Sequence, residues 1–452
     1  MPMPTPTTGS DRPKRQLFAG AVGHLVEFFD FLIYSYLAIY FANQFFPSSS
    51  GSQLIPLLSA FGVFAAGFLG RPIAGLVVGG FADRHGRRAA MSLSVSMMGV
   101  GSLLIAIAPT YAQIGVAAPA LLVMARILQG LSAGGEYTTA AAFLVESAPA
   151  NRRALFSSFM FVSSSVGKLL ALAMVTVLAS ALGDEAMRQY GWRIPFGFGA
   201  VAAIFAWWIR SRAEETLVQD DARTDRDTPA RPTLFEALRR YPKQSLQVAG
   251  LVAGITGSQY LWATFLPTYA AITTDLGSTA PMVAGLIGLT IYTIAAPLVG
   301  MLADRIGTWP LMLAFAISTA VATVPLLRLI SEGFVGLLVA QCVGLVLLSL
   351  GTSIMAVVLV DLFPQRVRVA GMGFPYGISI AVFGGTVSVI GTALQEAGAG
   401  NWFGWYMAGL SVITLVSTLS LRTNSRAPSL THRPTSAADN SPLAASRFKR
   451  SH

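Results

Sequence analysis

Seven ionisable side chains sit inside stretches that are otherwise apolar: His24, Glu27, Asp30, Arg71, Arg126, Glu136 and Lys168. In a helix, Glu27 and Asp30 fall one turn apart on one face, and His24 lies one turn before Glu27 on that same face. A guanidinium can hold a carboxylate through two parallel hydrogen bonds, which makes Arg126 the first candidate to bind an acid. The alternative is that Arg126 pairs permanently with Glu27 or Asp30 and only ties two helices together; both hold if that pair opens on binding. Arg71 precedes Pro72, which frees a backbone carbonyl that could satisfy it locally. Lys168 has the same two readings, anion contact or local satisfaction. Burial disfavours the charge on a carboxyl group and a nearby arginine favours it. An acid that competes for the same arginine would therefore link its own binding to proton uptake. Glu27, Asp30, Glu136 and His24 are the candidates for that proton. Glu136 follows two glycines and has a structural reading where backbones approach closely. A lone histidine is more often a satisfied polar contact.

The elements that position these groups follow from composition. The chain has 452 residues, 54% hydrophobic and 12% charged, against about 25% charged in a soluble protein, so most of its surface must face lipid. Twelve apolar stretches reach the roughly 20 residues a spanning helix needs. They lie near residues 17–42, 54–80, 89–109, 117–145, 154–182, 193–209, 246–271, 281–302, 311–330, 334–360, 370–395 and 402–421. The runs are continuous rather than alternating, which excludes barrel strands. The fold class is therefore an all-α membrane protein of twelve transmembrane helices in two six-helix halves. The expected parts are an N-terminal tail (1–16), a six-helix bundle (17–209), a linker (210–245), a second six-helix bundle (246–421) and a disordered tail (422–452).

With both termini on one side, 25 of the 31 lysines and arginines fall in the tails and in the loops on that side. The positive-inside rule makes that side cytoplasmic, and it explains the net charge of +10 without a nucleic-acid partner. Arg71 lies twelve residues before Asp83, roughly 18 Å along a helix and near the middle of a hydrocarbon core about 30 Å thick. Lys168 has a similar depth. The second half holds almost no buried charge, so Gln259, Tyr260, Trp262, Tyr292 and Tyr376 are its candidate lining residues.

Two cytoplasmic loops repeat. "GGFADRHGRR" (79–88) shares its Ala-Asp-Arg core with "VGMLADRIGT" (299–308), and "APANRRALFSS" has a looser counterpart in "LFPQRVRVAGM". Matching loops in two halves mark a duplicated transporter bundle. "GGFADRHGRR" resembles the loop signature of the major facilitator superfamily. Its Asp83 can cap a helix end while Arg84, Arg87 and Arg88 pair with acids such as Glu146; Asp304 and Arg305 are the second copy. These groups would latch the cytoplasmic side; the alternative is a topology anchor with no switching role.

A finer resemblance covers residues 17–421. "GHLVEFFDFLIYSYLA", "GVFAAGFLGRPIAG", "ARILQGLSAGGEY", "YGWRIPFGFGA" and "VRVAGMGFPYGISIAVFGGT" are similar to the metabolite:proton symporter family, and residues 62–200 in particular to its α-ketoglutarate permeases. The resemblance implies symport of an organic acid or zwitterion with protons. Two positions depart from the pattern: His24 stands where the family often has Asn, and Lys168 where an uncharged polar residue is expected.

No Walker loop, "HExxH", "GxSxG" or Cys/His cluster occurs, and the single cysteine, Cys342, excludes a disulfide framework. "GLSAGGEY" lies inside an apolar helix with no strand before it, so it is not a nucleotide loop. The expectation is a carrier, not an enzyme, with no cofactor and no metal. It would import a small organic anion with protons by alternating access, as a monomer in a bacterial inner membrane. α-Ketoglutarate or a similar dicarboxylate is the first substrate, a citrate-like tricarboxylate the second, and a proline- or betaine-like osmolyte the third. From other classes, a membrane enzyme has only the Glu27–Asp30 pair to offer, and a transporter-like sensor would need an output domain that 422–452 does not supply.

Overall fold

The computed structural model describes residues 12–49, 51–85, 87–132, 136–212 and 239–424. Among these residues the chain is helical without strands, and the helices follow the twelve apolar stretches in order. We number them α1 (Arg12–Phe45), α2 (Leu54–His85), α3 (Arg87–Ala106), α4 (Ala117–Ser132 and Glu136–Ser147), α5 (Arg153–Ala186) and α6 (Arg193–Arg212). The second half has α7 (Pro242–Tyr260, then Leu266–Thr273), α8 (Thr279–Ile306), α9 (Thr308–Leu329) and α10 (Gly333–Asp361). It ends with α11 (Arg368–Ser379, then Val387–Glu396) and α12 (Asn401–Asn424).

Several helices outrun the expected parts. α1 begins at Arg12, inside the stretch read as a tail, α6 ends at Arg212, and α7 starts at Pro242, inside the expected linker. A hydrophobic run reports the thickness of the bilayer, whereas the helix continues as long as its backbone bonds do. The rest of the expected linker (213–238), residues 1–11 and residues 425–452 lie outside the described residues.

Packing repeats between the halves. α1 packs on α5, α2 on α4, and α3 on α4 and α6; α7 packs on α11, α8 on α10, and α9 on α10 and α12. Across the halves, α5 meets α8 and α11 meets α2, two contacts that exchange under the same correspondence. This is the pairing of a duplicated bundle.

Two close crossings place the buried cations. A Cβ on Gly130 would overlap the Gly67 carbonyl, and one on Gly70 would reach the backbone of Leu131 at 2.9 Å. Only glycine lets α2 and α4 approach this closely, and the approach brings Arg126 beneath α2. A Cβ on Gly167 would come within 3.2 Å of the Phe29 backbone nitrogen, so α5 lies against α1 just where Lys168 points inward. α7 and α11 are each interrupted by a π turn, Leu261–Phe265 and Ile380–Gly384. Such turns commonly mark functional positions. In α7 the turn frees the Trp262 carbonyl, which accepts a 2.6 Å hydrogen bond from Gln341.

Candidate functional site

At mid-depth, α1, α2, α3 and α4 assemble a polar chain inside an aromatic shell. Arg126 is fully buried. Its Nη1 donates to the Phe31 carbonyl (3.1 Å) and to Gln129 Oε1 (2.7 Å). Gln129 Nε2 donates to Ser102 Oγ at 2.8 Å, and Ser102 donates to Asp30 Oδ2. Asp30 is also fully buried, so the carboxyl group and the guanidinium communicate through two neutral side chains.

The shell is built from rings. The Arg126 guanidinium carbon lies 4.2 Å from the Phe31 centroid, 4.8 Å from Tyr34 and 4.9 Å from Phe64. Arg71 lies 4.4 Å from the same Phe31 ring and 4.9 Å from Phe68. Ring faces attract cations by their quadrupole, so Phe31 holds two guanidinium groups together that would otherwise repel. Arg71 also donates a side-chain hydrogen bond to the Tyr260 hydroxyl, which reaches in from the second half. Four donor atoms on the buried cations have no hydrogen-bond partner among the described residues: Nε and Nη2 of Arg126, Nε of Arg71 and Nζ of Lys168. Such groups cost about 1–3 kcal/mol each, and more when charged.

Of the other candidates, Glu27 is half-buried and within electrostatic range of Tyr260 and Tyr376. Lys168 is 1% exposed, 5.4 Å from the Phe28 ring. Tyr376 stacks on Tyr137 across the halves at 4.3 Å and 6°, and Gln259 is half-buried beside Tyr260. Trp262 and Tyr292 are buried, with Tyr292 bonded to Thr352 at 2.9 Å. The side chains of His24, Asp83, Arg84, Arg87, Arg88 and Glu136 lie outside the described residues.

Both ends of the bundle are bridged between halves. At the end that carries Arg12 and Asn424, Asp304 accepts from the backbone N–H groups of Ala154 (2.8 Å) and Leu155 (3.0 Å), capping α5. Arg305 beside it is exposed. Arg153 holds Asp361 through two bonds of 2.7 and 3.2 Å, and Arg368 pairs with Glu146. Under the repeat these two pairs are equivalent, α5 start with α10 end and α11 start with α4 end. At the opposite end, Tyr36 donates to the Ala263 carbonyl (2.7 Å), Phe61 meets Phe265 at 5.3 Å, and Ser52 donates to Glu396 at 2.8 Å.

Sequence reasoning missed Gln129, Ser102, Phe31 and the Arg153–Asp361 pair. Gln129 carried the one usable signal, lying three residues after Arg126 on a shared helix face. Among the described residues Glu146 pairs with Arg368; the side chains of Arg84, Arg87 and Arg88, which it was expected to meet, lie outside them.

The chain belongs to the Major Facilitator Superfamily, whose family model matches residues 20–374, a class of multi-pass membrane transporters rather than enzymes. It is 38% identical to the alpha-ketoglutarate permease of Escherichia coli (strain K12), over 92% of this chain and 95% of that protein. It is 32% identical to the citrate-proton symporter of Klebsiella pneumoniae, over 88% and 89% of the two chains. The proline/betaine transporter of Escherichia coli (strain K12) is 28% identical, over 92% of this chain and 84% of that one. Among solved structures, the D-xylose-proton symporter superposes with a TM-score of 0.71 at 15% identity, covering 90% of this chain and 97% of that one. That likeness concerns the fold.

Proposed function

We propose that this protein is a proton-coupled symporter that imports a small organic acid, α-ketoglutarate or a related dicarboxylate, by alternating access of the two halves. The observation that carries the reading is Arg126: a fully buried guanidinium with Nε and Nη2 unpartnered, sharing one phenyl ring with Arg71. A substrate carboxylate would take those donors bidentately. Tyr260, Gln259 and Tyr376 would close on it from the second half. The identity to an alpha-ketoglutarate permease supports the same substrate class.

Proton coupling would follow from the chain Arg126–Gln129–Ser102–Asp30. A carboxylate bound at Arg126 offsets the positive charge that Asp30 senses, so Asp30 then accepts a proton more readily. Glu27 is placed to respond in the same way, with Glu136 and His24 as further candidates. The near-end contacts of Asp304, Glu146, Arg153, Arg368 and Asp361 would form the gate that opens toward the cytoplasm, joined by Asp83, Arg84, Arg87, Arg88 and Arg305. Both termini face the cytoplasm of a bacterial inner membrane, in line with the lysine and arginine distribution, and the carrier acts as a monomer without a cofactor. A citrate-like tricarboxylate is the second reading, favoured by the likeness to a citrate-proton symporter.

The test is uptake of labelled α-ketoglutarate into proteoliposomes under an imposed inward proton gradient, beside a dissipated one and beside Arg126→Ala. Gradient-driven accumulation lost in the variant is expected. Absence of uptake by a folded, reconstituted wild type would remove the dicarboxylate assignment.

A further inference from the structure

From the buried amine on α5 we infer that Lys168 is a second charge pole of the substrate site, so that the carrier measures the spacing between two carboxylates. The inference rests on the organic-acid reading above and adds the residue that selects among such acids.

Lys168 is fourteen residues past Ala154, roughly 21 Å along α5 at 1.5 Å per residue. It is 1% exposed, so its stem does not carry the ammonium out to an interface. Among the described residues its Nζ has no hydrogen-bond partner. The hydroxyl groups beside it are engaged elsewhere: Ser164 donates to the Phe161 carbonyl at 3.0 Å, and Ser165 is bonded to Thr293 at 2.6 Å. The one cation contact it makes among the described residues is the Phe28 ring at 5.4 Å. A structural lysine at this depth would be paired with an acid or a carbonyl; this one is held against a ring with its donors unused.

The two rings place the cations against successive turns of α1. Phe28 carries Lys168, and Phe31, three residues later on α1, carries both Arg71 and Arg126. Three residues are one helical turn, about 4.5 Å of rise. Carboxyl groups separated by two or three carbons, at about 1.5 Å per bond, span a comparable distance. The guanidinium groups converge on one ring and form one pole, and the ammonium forms the other. Two poles suit a dicarboxylate. A monocarboxylate would leave Lys168 unmatched, a zwitterion would set its own ammonium against one of the poles, and a third carboxylate would find no third pole.

The experiment compares three substrates in proteoliposomes: α-ketoglutarate, 2-oxopentanoate (the same skeleton with a methyl group in place of the second carboxyl) and citrate. The variants are Lys168→Gln and Lys168→Arg, and KM is read separately from the maximal rate. In the wild type, α-ketoglutarate should be preferred over 2-oxopentanoate by about tenfold or more, the worth of one charge-assisted hydrogen bond. Lys168→Gln should raise KM for α-ketoglutarate by a similar factor and leave 2-oxopentanoate unchanged, while Lys168→Arg keeps the preference. Where a variant loses uptake, the shift of its melting temperature by each substrate in detergent reports binding on the same scale. Equal losses for both oxo acids, or an unchanged preference in Lys168→Gln, overturn the second pole while the organic-acid reading stands. An effect confined to citrate overturns it in favour of a tricarboxylate site. A wild type that moves none of the three removes the parent reading itself.

Discussion

Asp30 and Arg126 are joined through Ser102 and Gln129 rather than by a direct ion pair. This arrangement differs from a buried salt bridge in what it permits. A direct pair would lose its Coulomb attraction outright when a substrate pulled the arginine away, leaving an isolated charge in the bilayer core. Here each group keeps a neutral hydrogen-bond partner whatever the other does, so the carboxyl group can change protonation state while Arg126 stays anchored to the Phe31 carbonyl.

Asp30→Asn is the first consequence. The amide keeps the shape of the carboxyl group and can still accept from Ser102, but it carries no exchangeable charge. The variant should fold, bind substrate and exchange it across the membrane, yet fail to accumulate it against a gradient. Counterflow and net uptake measured side by side check this. Full gradient-driven accumulation by Asp30→Asn would move the proton to Glu27, Glu136 or His24.

Gln129→Leu tests the connection rather than its end. It removes one bond from Arg126 Nη1 and one from Ser102, and each buried polar group left unsatisfied costs about 1–3 kcal/mol. The melting temperature should fall. The more telling readout is the ratio of protons to substrate taken up, which should drop in Gln129→Leu and recover in Gln129→His, whose neutral ring offers one acceptor for Arg126 and one donor for Ser102. A ratio untouched by Gln129→Leu would make the chain a scaffold only.

The charged members of this site stood out in the sequence because an ionisable group in an apolar run has few structural reasons to be there. Its neutral members did not. Ser102 sits in "GVGSLL" and Gln129 in "RILQGL", and single polar residues of this kind occur in many spanning helices as local hydrogen-bond makers. Phe31 was harder still, since a phenylalanine in "EFFDFLIY" reads as packing until the two guanidinium groups are seen on its ring. The twelve helices were legible from hydropathy alone, but the pairing of Arg368 with Glu146 across the halves was not. A loop repeat says which residues are equivalent between halves, whereas Arg368 meets Glu146 because the halves face each other.

Asp304 offers a test of the gate. Its carboxylate accepts from two backbone N–H groups in the first turn of α5, a position where negative charge also meets the helix dipole. Loss of such a cap costs about 0.5–2 kcal/mol, and this one spans the halves. The exposed pair Arg153–Asp361, with side chains 34% and 50% accessible, is worth about 0–1 kcal/mol by comparison. Asp304→Ala should therefore favour opening at this end, and Asp361→Asn should do so only weakly. Labelling of Ser158→Cys, a buried position on α5 beside Gly300, by a membrane-impermeant thiol reagent in a Cys342→Ala background measures the opening. The expected order of labelling rate is Asp304→Ala, then Asp361→Asn, then the parent.

Gly130 tests the crossing on which the site stands. A side chain there would run into the Gly67 carbonyl, a backbone atom that cannot rotate aside. α2 and α4 would have to separate, and overpacking of this kind costs about 1–3 kcal/mol. Separation would also lift Arg126 away from Phe64 and Phe31, so Gly130→Val should lose substrate binding by more than its loss of stability explains. Gly62→Ala on the facing helix α2 is the control, because a Cβ there meets nothing within 4 Å and Ala favours a helix over Gly by about 1 kcal/mol. Melting temperatures in detergent with and without substrate separate the two effects. Gly62→Ala should keep its substrate-induced shift, and Gly130→Val should melt lower and show none. A Gly130→Val protein that retained the full shift would mean that Arg126 is positioned by α1 and α3 alone.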